Sequence, residues 1–134
     1  MLRVYSPLSD EEERVVSGTI KCGIEVHRRL GPGFRERIYE TAMCLELDAQ
    51  GLRFECEKEV QVTYKQWQIG GQRVDLIVAG IVIVEIKAVP RLKVLHQRQV
   101  VSYLRATELK VGLLMNFNAR TLSDGLKRVV RTQS

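Results

Sequence analysis

The sequence predicts an α/β protein with a mixed sheet of four to five strands flanked by helices. Two helix-like segments precede three strand-like segments, and a further helix and a buried strand follow. The order ααβββαβ, with a short final element that is either strand or helix, indicates helices packed on a sheet. At 134 residues, 45% of them hydrophobic, the chain is expected to form a single domain over residues 1–134.

The first two elements show helical signals. The first helix is predicted to begin at Ser9, because the segment SDEE is a capping-box start with acids in the first turn. It should end at LGPG, where Pro32 and its flanking glycines break a helix. A second helix is expected over about 35–50, before Gly51. Its apolar stripe is predicted to consist of Ile38, Ala42, Leu45 and Ala49.

Three strands are predicted next. Residues 53–64 alternate with period two, which is typical of a strand with one solvated face. The segment KQWQIGG (65–71) supplies a turn. The strands Gln72–Val78 and Ile81–Ala88 are apolar on both faces and should be covered on two sides. In the first strand, one face is expected to carry Phe54, Cys56, Lys58, Val60, Val62 and Tyr64.

The last third of the chain is predicted to add a helix, a strand and a final short element. Pro90 ends the third strand, and KVLHQRQVVSYLRAT (93–107) has a helical pattern. The segment LKVGLLMNFN (109–118) is typical of a buried strand. The segment DGLKRVVRT (124–132) is predicted to be a short strand or helix.

The second and third strands carry three ionisable residues among valines and isoleucines: Asp75, Glu85 and Lys87. Burial of such charges is costly unless they are paired or bind a metal. With a two-residue loop, Asp75 and Glu85 would lie on opposite faces of the sheet. With a three-residue loop over 79–81 they would be cross-strand neighbours, with Lys87 on the face of Glu85.

Two adjacent carboxylates repel each other unless a positive charge lies between them. A divalent cation would meet this need, and Mg²⁺ prefers oxygen ligands. The alternative without chemistry is a salt bridge from Lys87 to Asp75 or to Glu85 at the sheet edge. The hairpin alone does not decide between these two interpretations.

Composition narrows the class of protein. No apolar run approaches the length of a membrane helix, and the start MLRVYSPLSDEEER has no signal-peptide pattern. Three scattered cysteines indicate reduced thiols rather than a disulfide framework or a zinc site. We therefore expect a cytoplasmic protein without membrane contact. Phosphate-binding, serine-hydrolase and dinucleotide-binding motifs are absent from the sequence.

Positive charge is concentrated in the last third of the chain. From residue 91 onward there are nine Lys/Arg and two acids (+7), against twelve and fourteen (−2) in the first 90 residues. This asymmetry is compatible with a polyanionic partner and equally with a solvated basic face. If nucleic acid binds, the expected contacts come from Arg91, Lys93, Arg98, Arg105, Lys127, Arg128 and Arg131.

Asp75 with Glu85, Ile86 and Lys87 on consecutive strands resembles the active-site signature of the PD-(D/E)XK nuclease superfamily. The element order is similar to the restriction-endonuclease-like core of that superfamily. The segment GFRERIY (33–39) also resembles the G-x-x-E-x-x-Y motif of the GxxExxY protein family, as do HRRLGPGFRERIYE, RVDLIV, VEIKAV and GLLMNFN. The resemblance covers roughly residues 11–130.

This resemblance implies roles for six side chains and one carbonyl. Asp75 and Glu85 would hold Mg²⁺, with Mn²⁺ as an alternative. The carbonyl of Ile86 and the acid Glu36 would assist them, and Lys87 would position the attacking water. Gln99 and Tyr103 match the Q-x-x-x-Y element of the RecB-like nuclease group and share one helix face with His96. Tyr39 is expected to pack beside Glu36, and His27 to be structural.

The leading functional prediction is a metal-dependent nuclease acting on nucleic acid, with DNA the expected substrate. A non-cleaving nucleic-acid-binding or regulatory module on the same fold is the second hypothesis. An enzyme of this fold acting on another phosphate substrate is the third, because fold does not fix function. The oligomeric state is open, with a homodimer as one option.

Overall fold

Three α-helices flank one mixed sheet of five strands in the computed structural model, which describes residues 6–131. The elements are α1 (Asp10–Leu30), α2 (Glu36–Ala49), β1 (Phe54–Tyr64), β2 (Trp67–Val78), β3 (Val82–Lys87), α3 (Val94–Thr107), β4 (Val111–Asn116) and β5 (Leu126–Val130). The strand order is β1-β2-β3-β4-β5. Only β3 and β4 are parallel, joined through α3, and the other pairs are antiparallel. The predicted mixed α/β architecture is confirmed.

The helix α1 begins as predicted. The Ser9 side chain accepts a hydrogen bond from the Glu12 amide, and the Glu12 carboxylate accepts one from the Ser9 amide. Gly23 lies where α1 crosses the sheet, and a Cβ there would be 2.7 Å from Leu122 and 3.1 Å from Met115. The absence of a side chain at Gly23 therefore lets α1 approach the sheet closely.

The helix α2 buries a different stripe from the predicted one. Tyr39, Met43 and Leu47, spaced four residues apart, are fully buried, whereas Ile38 and Leu45 are exposed. Both stripes have the helical period. The sequence pattern could not distinguish them, because α2 carries apolar residues around most of its circumference. The helix presents its larger residues, an aromatic ring and a thioether among them, to the core.

Apolar side chains form a core on each side of the sheet. The core beneath α1 and α2 includes Leu76, Val84, Ile86, Leu113 and Met115. The core beneath α3 includes Val74, Ile83, Val100, Leu104 and Leu114. Strands β3 and β4 are covered on both faces, as the continuous apolar runs predicted.

The prediction that β1 presents one continuous apolar face is wrong. Phe54 packs on the α1/α2 core, whereas Val60 belongs to the α3 core. Between them, Glu57 adopts a left-handed backbone conformation (φ 52°) opposite Asp75. The pairing register is the same on both sides of Glu57, so this residue redirects the backbone without an extra residue in the strand. The strand therefore changes the face that it buries part of the way along its length.

Beyond this irregularity β1 and β2 continue as a long two-stranded hairpin. The predicted turn over 65–71 is wrong, because Tyr64 pairs directly with Trp67 and only Lys65 and Gln66 form the turn. The glycines of the IGG segment lie inside β2, where the pairing register shifts between Val62 and Thr63. A strand register shift absorbs these glycines, which the sequence pattern had indicated as turn residues.

The final element is a strand, β5, preceded by a short 3-10 helix over Ser123–Gly125. Thr132, at the end of the predicted element, lies outside the described residues.

Cys22, Cys44 and Cys56 are free thiols. Among residues 6–131, none of the helices combines the length and the apolarity that crossing a bilayer would require.

Candidate nuclease active site

The β2–β3 turn sets the position of the two predicted carboxylates. Val78 pairs with Val82, which leaves the three residues 79–81 as the loop. Ala79 and Gly80 are left-handed (φ 55° and 67°), and the Ile81 amide donates to the Val78 carbonyl at 2.9 Å. The register runs back through Leu76↔Val84 and places Asp75 beside Glu85. The three-residue loop is therefore confirmed, and the two-residue alternative is wrong.

Side chains replace the backbone ladder where these two strands diverge. The Asp75 amide donates to Oε1 of Glu85 at 3.1 Å, and the Ile86 amide donates to Oδ2 of Asp75 at 2.7 Å. Each carboxylate thus accepts a backbone amide of the opposite strand. These hydrogen bonds fix both carboxylates at the point where β2 and β3 separate.

Burial and mutual repulsion act on this pair of acids. Burial, followed by the charge of Asp75, raises the pKa of Glu85 to about 7. Burial likewise raises the pKa of Asp75, while the hydrogen bond from the Ile86 amide and the charge of Lys87 oppose the rise. Glu85 is only 5% exposed. The site therefore holds two carboxylates whose ionisation needs positive charge nearby.

Lys87 is the cation whose charge acts on both carboxylates. It lies two residues after Glu85 on β3 and is half-buried. Its charge opposes the rise in the pKa of Asp75 and Glu85 and contributes to the lowered pKa of His96. Among the described residues, no ion pair within 4.0 Å joins Lys87 to Asp75 or Glu85. The alternative interpretation, a purely structural salt bridge from Lys87 to Asp75 or to Glu85, is therefore wrong. The ammonium group is available to a ligand.

Glu36 is the first residue of α2 and is exposed to solvent. Its charge acts to raise the pKa of both Asp75 and Glu85, so α2 brings a third carboxylate within electrostatic reach of the pair. The charge of Glu36 also opposes the lowering of the His96 pKa. Its direct participation in the site stays a prediction.

Tyr39 fixes the loop that precedes Glu36. Its hydroxyl donates to the Gly31 carbonyl at 2.6 Å and accepts from the Phe34 amide at 3.1 Å. The ring is fully buried and stacks on Phe117 with centroids 4.7 Å apart. The Gly–Glu–Tyr spacing thus has a structural reason, because Tyr39 anchors the glycine loop and the loop sets the start of the helix at Glu36.

The helix α3 contributes three polar side chains. Tyr103 is buried, and its pKa is raised by burial and by the charge of Glu85, while a contact with Gln72 acts in the opposite direction. Gln99 lies one turn earlier and is half-buried. His96 accepts a hydrogen bond from the Lys93 amide at its Nδ1 atom, 3.0 Å away. Tyr103 therefore lies within electrostatic reach of Glu85 and Asp75, and His96 within reach of Lys87 and Glu36. The predicted roles of Gln99 and Tyr103 stay predictions.

Two acids near the site were missed by sequence reasoning. Burial and the charges of Asp75 and Glu57 raise the pKa of Glu40, one turn after Glu36 on α2. Glu57 occupies the left-handed position opposite Asp75 and pairs with Arg73 at 3.6 Å. Glu40 could have been found from its i, i+4 spacing to Glu36, which places both side chains on one face of α2. No sequence signal identified the backbone irregularity at Glu57.

Asn116 positions the segment that leaves the site. Its side chain is buried and forms two hydrogen bonds with the backbone of Val89, at 2.9 and 3.1 Å. It also accepts from the Asn118 amide. Asn116 therefore ties the chain just after Lys87 to the end of β4.

His27 is structural, as predicted, because its Nε2 lies 2.8 Å from the Ala119 carbonyl oxygen.

The donor set fits a divalent cation that is shared with a ligand. In the part of the chain that the structure describes, no group of three or more His, Cys, Asp and Glu side chains forms a ready-made cage. Asp75 and Glu85 supply two adjacent carboxylates in one place. Mg²⁺ is commonly bound by one or two carboxylates together with substrate phosphates. The Ile86 carbonyl stays a predicted additional ligand.

The predicted basic contacts differ in their availability. Arg91, Lys93, Arg98, Arg105 and Lys127 are exposed. Arg128 instead pairs with Glu13 of α1. Arg131 donates to the backbone carbonyls of Leu109 and Glu108, each at 3.0 Å. The last two arginines therefore have intramolecular roles, which sequence charge alone could not reveal.

Comparison with known proteins bears on the fold and the family. No curated protein and no solved structure matches the chain at the level required for significance. A sequence model described as the PD-(D/E)XK nuclease superfamily matches residues 13–129, nearly the whole chain. The five-stranded mixed sheet with its three helices is consistent with the restriction-endonuclease-like fold of that superfamily. The narrower GxxExxY resemblance stays a prediction. By the extent of this match, the chain belongs to the PD-(D/E)XK nuclease superfamily.

Proposed function

We propose that the protein is a metal-dependent nuclease that hydrolyses phosphodiester bonds at the Asp75–Glu85–Lys87 site. One observation carries this proposal: the buried carboxylate of Glu85 and the half-buried carboxylate of Asp75 are fixed side by side by reciprocal backbone hydrogen bonds, although both have raised pKa values. A fold gains no stability from holding like charges together in this way. A cation bound between the two carboxylates would relieve their repulsion and could at the same time bind a phosphate.

Nucleases of this superfamily generally use divalent metal ions. A divalent cation held by Asp75 and Glu85 would lower the pKa of a water molecule and polarise a phosphoryl oxygen. Mg²⁺ is the proposed ion and Mn²⁺ a substitute, since both accept carboxylate oxygens. The amides of Asp75 and Ile86 hold the two carboxylates in a fixed orientation, so they need not rearrange when the site is filled.

Lys87 would supply the second positive charge. Its ammonium group is not engaged by either carboxylate within 4.0 Å, so it can donate hydrogen bonds to a phosphate oxygen and orient the attacking water. Glu36 would stand on the α2 side of the site, and Gln99 and Tyr103 on the α3 side. These three would position the substrate and its water rather than perform the hydrolysis itself.

We propose nucleic acid, with DNA first, as the substrate. The experiment is incubation with labelled DNA and RNA, single- and double-stranded, in Mg²⁺, Mn²⁺ or EDTA. The proposal predicts metal-dependent cleavage of at least one member of this panel, abolished by EDTA and by Asp75→Asn. Absence of cleavage across the panel in both metals would contradict it.

One observation favours the competing function, a nucleic-acid-binding module that does not cut. Within residues 6–131 no three acidic, histidine or cysteine side chains converge as a metal cage. A module of this kind would bind the same nucleic acids in EDTA and in Mg²⁺ and leave them intact. The same panel therefore separates the two functions when binding and product formation are both recorded.

A further inference from the structure

The distal β1–β2 hairpin carries a cluster of large side chains that are exposed. From Gln61 to Arg73 every residue except Val62 is exposed. Tyr64 and Trp67 are cross-strand partners at the tip and are 58% and 56% exposed, and Ile69 is 65% exposed. Two-stranded hairpins are marginally stable in water on their own. The tip is therefore an apolar surface that is suited to a partner.

The chemistry of the tip favours a nucleic acid over a protein partner. The aromatic residues Tyr64 and Trp67 are cross-strand partners, and their exposed rings suit the flat faces of nucleobases. The only charged residue in the segment 60–72 is Lys65, whose ammonium lies 5.5 Å from the centre of the Tyr64 ring. A positive charge beside the exposed Tyr64 ring complements a base and its phosphate.

The hairpin is also continuous with the proposed active site. Trp67 and Asp75 lie on the same strand, β2, eight residues apart. At about 3.3 Å per residue this separation is roughly 26 Å. Stacked nucleotides rise about 3.4 Å each. A strand bound at the tip would therefore reach the Asp75–Glu85 pair after about eight nucleotides.

We propose that Tyr64 and Trp67 form a stacking platform for the unpaired bases of a single-stranded nucleic acid. This inference rests on the proposed nuclease function, and it specifies the substrate class as single-stranded or locally unpaired. Bases inside a duplex are stacked on one another and offer no free face to the two rings. The platform therefore discriminates single strands from duplexes at a distance from the carboxylates.

Trp67 is the only tryptophan in the chain, so its fluorescence reports directly on the tip. The experiment titrates the protein in EDTA with three ligands: an oligothymidylate of about eight nucleotides, which matches the estimated separation of Trp67 from Asp75, one of half that length, and a duplex. We expect quenching of Trp67 by the longer single strand, weaker binding of the shorter one, and little quenching by the duplex. Equal quenching by duplex and single strand would overturn the proposal.

Substitutions test the platform independently. Tyr64→Ala should weaken oligothymidylate binding roughly 5- to 150-fold, the range for the loss of one stacked ring. Anisotropy of a labelled oligothymidylate should show a similar loss for Trp67→Ala and partial recovery for Trp67→Phe. Leu45→Ala removes an equally exposed apolar side chain from the groove between α1 and α2 and should change nothing.

The remaining outcomes also decide the question. Binding by anisotropy without any change in Trp67 fluorescence would place the nucleic acid elsewhere and overturn the proposal. Fluorescence that changes with protein concentration alone, together with a dimer in sedimentation, would show that a second copy covers the tip. Quenching without cleavage would support the platform while contradicting the nuclease function, because the titration in EDTA needs no hydrolysis.

Discussion

The amide of Asp75 donates a hydrogen bond to the carboxylate of Glu85, and the carboxylate of Asp75 accepts one from the amide of Ile86. This reciprocal exchange holds two acids together at the point where β2 and β3 separate. It also costs stability, because Glu85 is buried and its pKa rises to about 7.

Metal-free protein should lose stability as pH rises through the titration of Glu85. The unfolded carboxyl has its ordinary pKa of 4.5, whereas the folded one titrates at about 7. Between these values the unfolded state has released its proton and the folded state has not, so the free energy of unfolding falls with pH, by up to about 3 kcal/mol. Urea unfolding in EDTA at a series of pH values measures this decline.

Glu85→Gln keeps an oxygen that can accept from the Asp75 amide and removes the ionisation. The variant should be more stable than wild type above pH 7 and should show a flatter dependence on pH. Glu11→Gln, at an exposed position of α1, should keep the wild-type decline. A Glu85→Gln variant with the unchanged wild-type profile would show that burial of this acid does not affect stability.

Divalent cations should bind weakly to the free protein and more tightly when a phosphate ligand is present, because two carboxylates complete only part of a coordination shell. Calorimetry with Mn²⁺ should show this binding in wild type and its loss in Asp75→Ala/Glu85→Ala. The matched control Asp48→Ala/Asp124→Ala removes two exposed carboxylates elsewhere. Identical Mn²⁺ binding in the wild type and the Asp75/Glu85 variant would exclude the shared site.

Tyr39→Phe should destabilise the protein by about 1–3 kcal/mol, because it removes the hydroxyl that bonds Gly31 and Phe34 and leaves the buried ring in place. The cleavage rate should also fall, and by more than the loss of folded protein explains, because the loop that sets the start of α2 at Glu36 loses its anchor. Denaturant unfolding and cleavage rates measure the two effects. Tyr64→Phe alters an exposed hydroxyl and should leave stability unchanged; an equal effect there would remove the special role of Tyr39.

Part of this site could be predicted from sequence because it depends on local spacing. The loop length after Val78 determines that Asp75 and Glu85 face each other, and the period of α3 puts Tyr103 on the side of His96. A left-handed backbone conformation is uncommon for glutamate, so no local pattern indicated the irregularity at Glu57. The apolar stripe of α2 was also ambiguous, because burial is decided by the neighbour that packs on it.

Nucleic-acid affinity should fall steeply with salt, and the slope should depend on Arg91, Lys93 and Arg98. Each phosphate contact contributes roughly −0.7 to −0.9 to the log–log slope. Reversal of these three charges should flatten the slope and leave Mn²⁺ binding unchanged. Reversal of Arg14, Lys21 and Arg53, which are exposed and take no part in the ion pairs found among residues 6–131, changes the net charge equally and serves as the control. Equal flattening by both triple variants would show that only net charge matters.

The most direct measurement is the cleavage rate of Lys87→Ala under conditions where substrate binding is recorded in parallel. Lys87 lies beside the carboxylates without pairing with them, so its removal should spare the fold and the metal ligands. We predict that turnover falls by orders of magnitude in Mg²⁺ while the affinity for the uncut nucleic acid changes little. An unchanged turnover in the purified variant would show that the hydrolysis arises elsewhere and would contradict a nuclease site at Asp75, Glu85 and Lys87.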